Sequence, residues 1–264
     1  MNRTFITAAA ALALATTAIQ AQTVWTQGFE SDTTGYFDGD NGWTGDITRV
    51  PSGAGGIPSS EGSFHANVRQ STPVNPADAR GPYSNFDGNR LDIDDSLAFS
   101  LDIYLDTSWA TGEGFDYSLA FNDESGDFLR DFIFHVTQDT STGQLLVGGS
   151  NNTNFEPRED LENSNNYVVA NTGWYTFQHV AYDAGDGSLA VDLNLYDTSG
   201  MLAFTETRNN PGDSLSDVGI NRYHWFTNID IENGIEIDNA SLAVPEPASL
   251  GLLGLAGLAL IRRR

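Results

Sequence analysis

The chain contains no cysteine and no lysine. The first absence excludes disulfides and every thiolate nucleophile or thiolate metal site. Stability must come from core burial, with a bound metal as a further means. The second absence leaves twelve basic residues, all arginine. Arg3 lies near the start and Arg262, Arg263 and Arg264 end the chain, so eight arginines face 36 acidic residues between them. Such a body repels nucleic acid and anionic lipid, and it suits cations, neutral glycans or saline water. Also missing are a phosphate-binding glycine loop, a basic stripe and a Gly-x-Ser-x-Gly elbow. Hydrophobic residues still make up 39% and aromatics 11% of 264 residues, enough for a real core.

Two end segments differ from the middle. "MNRTFITAAAALALATTAIQAQ" has a basic residue, an apolar run from Phe5 to Ile19 and a small-residue site at Ala21. It reads as a secretory signal peptide over residues 1–21. At the other end stands "VPEPASLGLLGLAGLALIRRR", residues 244–264. Its uncharged run Ala248 to Ile261 holds 14 residues. As a helix that spans roughly 21 Å against a hydrocarbon core of about 30 Å. The predicted short hydrophobic helix therefore suits a transient membrane stop, with Arg262 to Arg264 on the cytoplasmic side.

Between the ends, helical periodicity gives way to alternation. In "LAFSLDIYLD", Leu97, Phe99, Leu101, Ile103 and Leu105 share one face. "FDYSLAFN", "DFLRDFIFHVTQ", "WYTFQHVAY", "SLAVDLNLY" and "MLAFTET" repeat the pattern, separated by "ESGD", "TSTG", "DAGDG" and "DTSG" turns. Nine or more strands at this spacing predict an all-β protein. The expected architecture is an antiparallel jelly-roll β-sandwich over residues 22–243. Residues 31–96 are looser, and residues 150–172 read as a long polar loop, the kind of segment that carries function on a rigid sandwich.

The tail resembles the PEP-CTERM sorting signal of Gram-negative bacteria, through Pro245, Glu246 and Pro247, the apolar run, and Arg262, Arg263 and Arg264. The resemblance implies cutting by an exosortase near the Pro-Glu-Pro triplet. The inner membrane is then a transient partner, and the protein is exported to the envelope, outer surface or exopolysaccharide matrix. The body is similar to jelly-roll carbohydrate-binding modules through Gly28-Phe29-Glu30, Trp43, the stretch Gly62 to Val68 and the stretch Ile235 to Leu242. The middle is equally similar to concanavalin A-like sandwiches. In the first resemblance, the Glu of the first strand and the Asp of the last hold a structural calcium. Here these are Glu30 and Asp238, whose oxygens are of the kind calcium prefers.

Other chemistry is sparse. Glu236 and Asp238 share a strand face and resemble the paired acids of retaining β-glucanases. Ser241 stands where that family's second Glu would follow. "DGDNG", Asp38 to Gly42, lacks the remaining ligands of a calcium loop. His65, His135, His179 and His224 fall one per strand, without metal-ligand spacing, and read as packed or edge histidines. Trp43, Trp109 and Trp225 are the candidate sugar-stacking platforms, with Asn152 and Arg158 as polar contacts. Trp174, at the head of a strong strand, reads as core. The expectation is a non-enzymatic structural or glycan-binding protein. A polysaccharide hydrolase or lyase on the same fold and a calcium-dependent adhesion module are the alternatives.

Overall fold

The computed structural model describes residues 22–37, 45–70, 80–88, 96–151, 158 and 160–244. The expected signal peptide and C-terminal helix lie outside these residues. So do Trp43, Asn152 and the "DGDNG" stretch.

Fifteen strands are formed among the described residues. They are β1 (Gln22–Gln27), β2 (Tyr36–Phe37), β3 (Gly45–Pro51), β4 (Phe64–Gln70), β5 (Arg80–Ser84), β6 (Leu97–Leu105), β7 (Gly114–Asp123) and β8 (Phe128–Gln138). Then come β9 (Leu145–Asn151), β10 (Asn166–Val168), β11 (Gly173–Asp183), β12 (Ser188–Tyr196), β13 (Leu202–Ser214), β14 (Val218–Thr227) and β15 (Ile235–Val244). All pairings are antiparallel. One sheet runs β13-β12-β11-β6-β15-β4-β3, with β1 also paired to β15, and the other runs β10-β9-β8-β7-β14-β5-β2. The protein is the antiparallel β-sandwich that the alternation predicts.

The core lies between the sheets. Leu97, Phe99, Leu101, Ile103 and Leu105 of β6 are fully buried, and so are Phe115, Tyr117, Leu119 and Phe121 of β7 across from them. Each such side chain contributes roughly 1.5–3 kcal/mol relative to exposure. Edge-on aromatic contacts join the layers, with Phe134 of β8 and Phe177 of β11 at 5.0 Å and Tyr117 and His179 at 5.3 Å. All four histidines are buried, as packed histidines should be. His224 lies 4.3 Å from Phe99, and burial pushes its pKa well below the usual value; burial brings His179 to about 3.

The hairpin turns explain much of the aspartate. Asp123, Asp183 and Asp197 each end a strand and accept backbone N–H bonds from the turn that follows. Asp183 Oδ1 takes Gly185 at 2.7 Å and Gly187 at 3.0 Å; Asp197 Oδ1 takes Ser199 at 2.8 Å and Met201 at 3.1 Å. A short carboxylate caps each turn, and glycines with positive φ, Gly126, Gly185, Gly187 and Gly200, let the backbone reverse. The strands β11, β12 and β13 form the expected three-strand meander through two of these turns. The polar stretch after β9 is not all loop, because Leu161–Asn163 form a 3-10 turn and Asn166–Val168 add an edge strand.

Candidate functional site

At one end of the first sheet the chain encloses a cleft of about 450 Å³. Tyr104 near the end of β6, Asp106, Trp109 and Glu113 from the following loop, Glu232 just before β15 and Glu236 within it line the cleft. The β6–β7 loop is held rigid by its own carboxylates. Asp106 Oδ1 accepts from the Ser108 amide at 2.9 Å and its hydroxyl at 2.7 Å, and Glu113 Oε2 accepts from the Ala110 amide at 2.7 Å. Trp109 is half-buried and stands edge-on to Phe115 at 6.2 Å. Its indole is thus anchored at one side and presented at the other. Trp174 is half-buried too and is not core. It lies on the outer face of the sheet, edge-on to Tyr104 at 5.4 Å and to His65 at 5.8 Å, and its N–H donates to the Pro58 carbonyl at 2.8 Å.

Glu236 closes the cleft floor. One oxygen accepts from Asn67 Nδ2 at 3.0 Å and the other lies 3.3 Å from His65 Nε2. Burial raises its pKa and lowers that of His65. Asp238 shares its strand face, but is fully buried and is not part of the cleft lining. The two acids therefore cannot flank one glycosidic bond from this cleft.

Glu30 and Asp238 converge instead on residues 59–64. Glu30 Oε1 accepts from the Ser63 and Phe64 amides at 2.8 and 3.0 Å. Asp238 Oδ2 accepts from the Glu61 amide at 3.1 Å and Oδ1 from Asn239 at 2.8 Å. Asp102 joins them, with Ser60 Oγ donating to Oδ2 and Thr176 Oγ1 to Oδ1, both at 2.6 Å. Arg49 ties the Phe29 and Glu30 carbonyls from the other side while lying over the Phe64 ring. Calcium asks for six to eight oxygens, whereas these carboxylates meet N–H and O–H donors that a cation would have to displace. As arranged, the residues do not fit the ion. Among the described residues no group of three or more histidine, aspartate or glutamate side chains is spaced to hold a metal. The chain ends are stapled to the loop directly.

The remaining described glycan-binding candidates, Trp225 and Arg158, do not join Trp109. Trp225 is only 9% exposed, on the outer face of the second sheet, and its indole lies against Asp131. Burial raises Asp131 to about 7, against the Trp225 bond and the nearby Arg130 charge. Arg158 is buried, donating to the Asn228 carbonyl at 2.7 Å and to Asp230 at 2.9 Å. Its guanidinium holds the fold.

That same outer face carries a cluster that the sequence reading missed. Asp116 of β7 and His135 of β8 are directly paired across the strands, with carboxylate Oδ1 and Nδ1 2.6 Å apart. His135 Nε2 lies 2.6 Å from Ser150 Oγ of β9. The only advance signal is weak: three outward positions on three successive strands, with Ser150 diagonal to His135, whose direct partner is Gly148.

Residues 243–264 match the family model described as the PEP-CTERM protein-sorting motif. The expected tail signal is therefore present, and it marks the chain for export and sorting to the envelope or surface of a Gram-negative bacterium. Among the described residues no helix is long and apolar enough to cross a membrane. No curated protein matches the chain. Solved structures resemble its fold at low identity. The CBM2 module of the evolved Dit of Lactobacillus casei BL23 phage J-1 is 16% identical with a TM-score of 0.45, over 86% of this chain and 97% of that one. The PL-14 alginate lyase of Aplysia kurodai is 10% identical with a TM-score of 0.47, over 85% and 100%. The Lotus tetragonolobus seed lectin is 12% identical with a TM-score of 0.40, over 80% and 93%. These are likenesses of outline, and the ligands in their names are theirs.

Proposed function

We propose that this protein is an exported, exosortase-processed β-sandwich that binds a neutral glycan of the cell surface or exopolysaccharide matrix. The observation that carries the reading is the cleft with Tyr104 and Trp109 set among carboxylates. Aromatic rings cover the apolar C–H faces of sugar rings, and carboxylates accept from their hydroxyls. The charge chooses the class of glycan. Four acids line the cleft of a chain with net charge −24, and an anionic polymer such as a uronate chain would be repelled. The sorting signal supports a place outside the inner membrane: on this reading the tail halts in that membrane, an exosortase cuts near Pro245-Glu246-Pro247, and the domain passes outward.

A glycan array spanning neutral and acidic polysaccharides tests the reading, followed by titration calorimetry on any hit. Binding of a neutral glycan that Trp109→Ala weakens at least tenfold supports it. Silence on every neutral polysaccharide, or binding that Trp109→Ala leaves unchanged, overturns the cleft as the site.

A further inference from the structure

The line Asp116–His135–Ser150 lies outside the cleft and takes no part in glycan binding there. Its geometry has a direction. A carboxylate only accepts, so His135 Nδ1 must carry the proton that it shares with Asp116 at 2.6 Å. Nε2 is then a lone pair, and the Ser150 hydroxyl 2.6 Å away is its donor. A histidine buried merely to pack needs no such arrangement. His179, on the inner face, lies 3.1 Å from a single backbone carbonyl, that of Phe132.

The acid is held as well. Asn228 Nδ2 donates to Asp116 Oδ2, and Arg158 Nη1 donates to the Asn228 carbonyl at 2.7 Å. Both carboxylate oxygens are therefore fixed, and the imidazole cannot turn away from the serine. All three residues sit on strands of one sheet, and rigid strands place groups more tightly than loops. Asp116 and His135 have no exposed surface, whereas Ser150, at the end of β9, is 7% exposed. Of the three residues, Ser150 is the one with surface open to solvent.

We propose that Ser150 is a nucleophile activated by His135 and Asp116, and that it takes carboxylic esters with small acyl groups. Nucleophile, base and orienting acid are each within hydrogen-bond reach of the next, which is the arrangement that makes a serine hydroxyl reactive. Ser150 Oγ attacks the acyl carbonyl carbon while its proton passes to His135 Nε2, and Asp116 stabilises the imidazolium. The carbonyl re-forms, the alcohol leaves with the proton from Nε2, and Ser150 carries the acyl ester. Water attacks that ester, its proton goes to Nε2 and then to Ser150 Oγ, and the carboxylic acid departs. Ester and water give alcohol and acid. The slight exposure of Ser150 limits the acyl group to a small one such as acetyl.

The test is covalent labelling of the purified full-length chain with a small fluorophosphonate, read by intact and peptide mass spectrometry. One phosphonyl adduct on Ser150 is expected. Ser150→Ala, which removes a single hydroxyl, should abolish it with the melting temperature kept. His135→Gln should slow labelling at least ~100-fold. Hydrolysis of p-nitrophenyl acetate with an initial burst, lost in Ser150→Ala, is the second readout. A folded wild-type chain that gains no adduct at Ser150, under conditions that label a known serine hydrolase, overturns the proposal and makes the line a structural tie. That readout needs no variant and does not depend on the glycan cleft.

Discussion

Asp238 of β15 lies directly across from Asp102 of β6, two carboxylates side by side on one sheet. The Asn239 backbone beside them is left-handed, at φ 50, where the register between β15 and β6 shifts. Burial raises Asp238 to about 6; amide bonds from Glu61 and Asn239 oppose this, and the Asp102 charge adds to it. Asp131 is raised to about 7, again by burial first.

A raised acid pKa means that the native state holds its proton longer than the unfolded chain does. Between the unfolded value near 4 and the folded value, stability falls as pH rises, by on the order of 3 kcal/mol for a two-unit shift. The turn carboxylates act oppositely. Hydrogen bonds with Ser188 lower Asp186 and those with Ser199 and Met201 lower Asp197, so their support is lost as pH falls below about 4. The two acids alone therefore make stability fall between about pH 4 and pH 7, whereas His179 and His224, held below the usual imidazole value by burial, make it rise toward about pH 6.5. Relative to wild type, Asp131→Asn should gain in melting temperature as pH rises from about 4 to about 7; a difference between the two proteins that does not change over that range contradicts the assignment.

The staple at Glu30 yields a second expectation. Gly62 has φ +64, and a Cβ there would collide with Glu30 Oε1. Gly62→Ala should cost about 1–3 kcal/mol through strain and the displaced carboxylate. Glu30→Gln keeps an acceptor for the Ser63 and Phe64 amides and should melt near wild type, whereas Glu30→Ala should not. Chelator should leave the wild-type melt unchanged. A calcium-dependent rise that Glu30→Gln removes would restore the ion to this site.

How much of this was legible beforehand follows from distance along the chain. Strands β6, β7, β8, β11 and β12, and the turns after Asp123, Asp183 and Asp197, were readable because alternation and turn chemistry are local. The edge strands β2 and β10, of two and three residues, carry too little pattern to read. Trp174 misled because an aromatic at the head of a buried strand reads as core, yet strand parity turns it outward beside Tyr104. The relay was invisible for another reason. Asp116, His135 and Ser150 become neighbours only through the β7–β8 and β8–β9 registers, which turn lengths set and side-chain identity does not.

The cleft makes a charge-specific prediction. Glu236→Gln keeps the acceptor for Asn67 and removes one negative charge. Neutral-glycan affinity should be insensitive to salt in wild type, and acidic glycans should begin to bind only when Glu232 and Glu236 are both neutralised. Calorimetry at low and high ionic strength separates the two. Wild-type binding of an acidic glycan at low salt would refute the selectivity argument.

The tail can be tested apart from any ligand. Replacing Arg262, Arg263 and Arg264 with alanine removes the charges that, on the proposed reading, hold the short apolar run in place. The expected result, read by immunoblot of cell fractions, is loss of processed protein from the outer envelope. Unaltered sorting would show that the arginines are dispensable.

One consequence concerns time. β15, the final strand, is an interior member of its sheet, hydrogen-bonded to β6 and β4, with β1 also paired to it. The last described strand in the chain is thus the one that joins the first strand to the rest. Until Val244 has crossed, β6 lacks a neighbour and β1 has nothing to pair with. The sheet around β6, β4 and β1 therefore closes only when β15 is in place. The strand formed from the end of the domain thus decides when its beginning can settle.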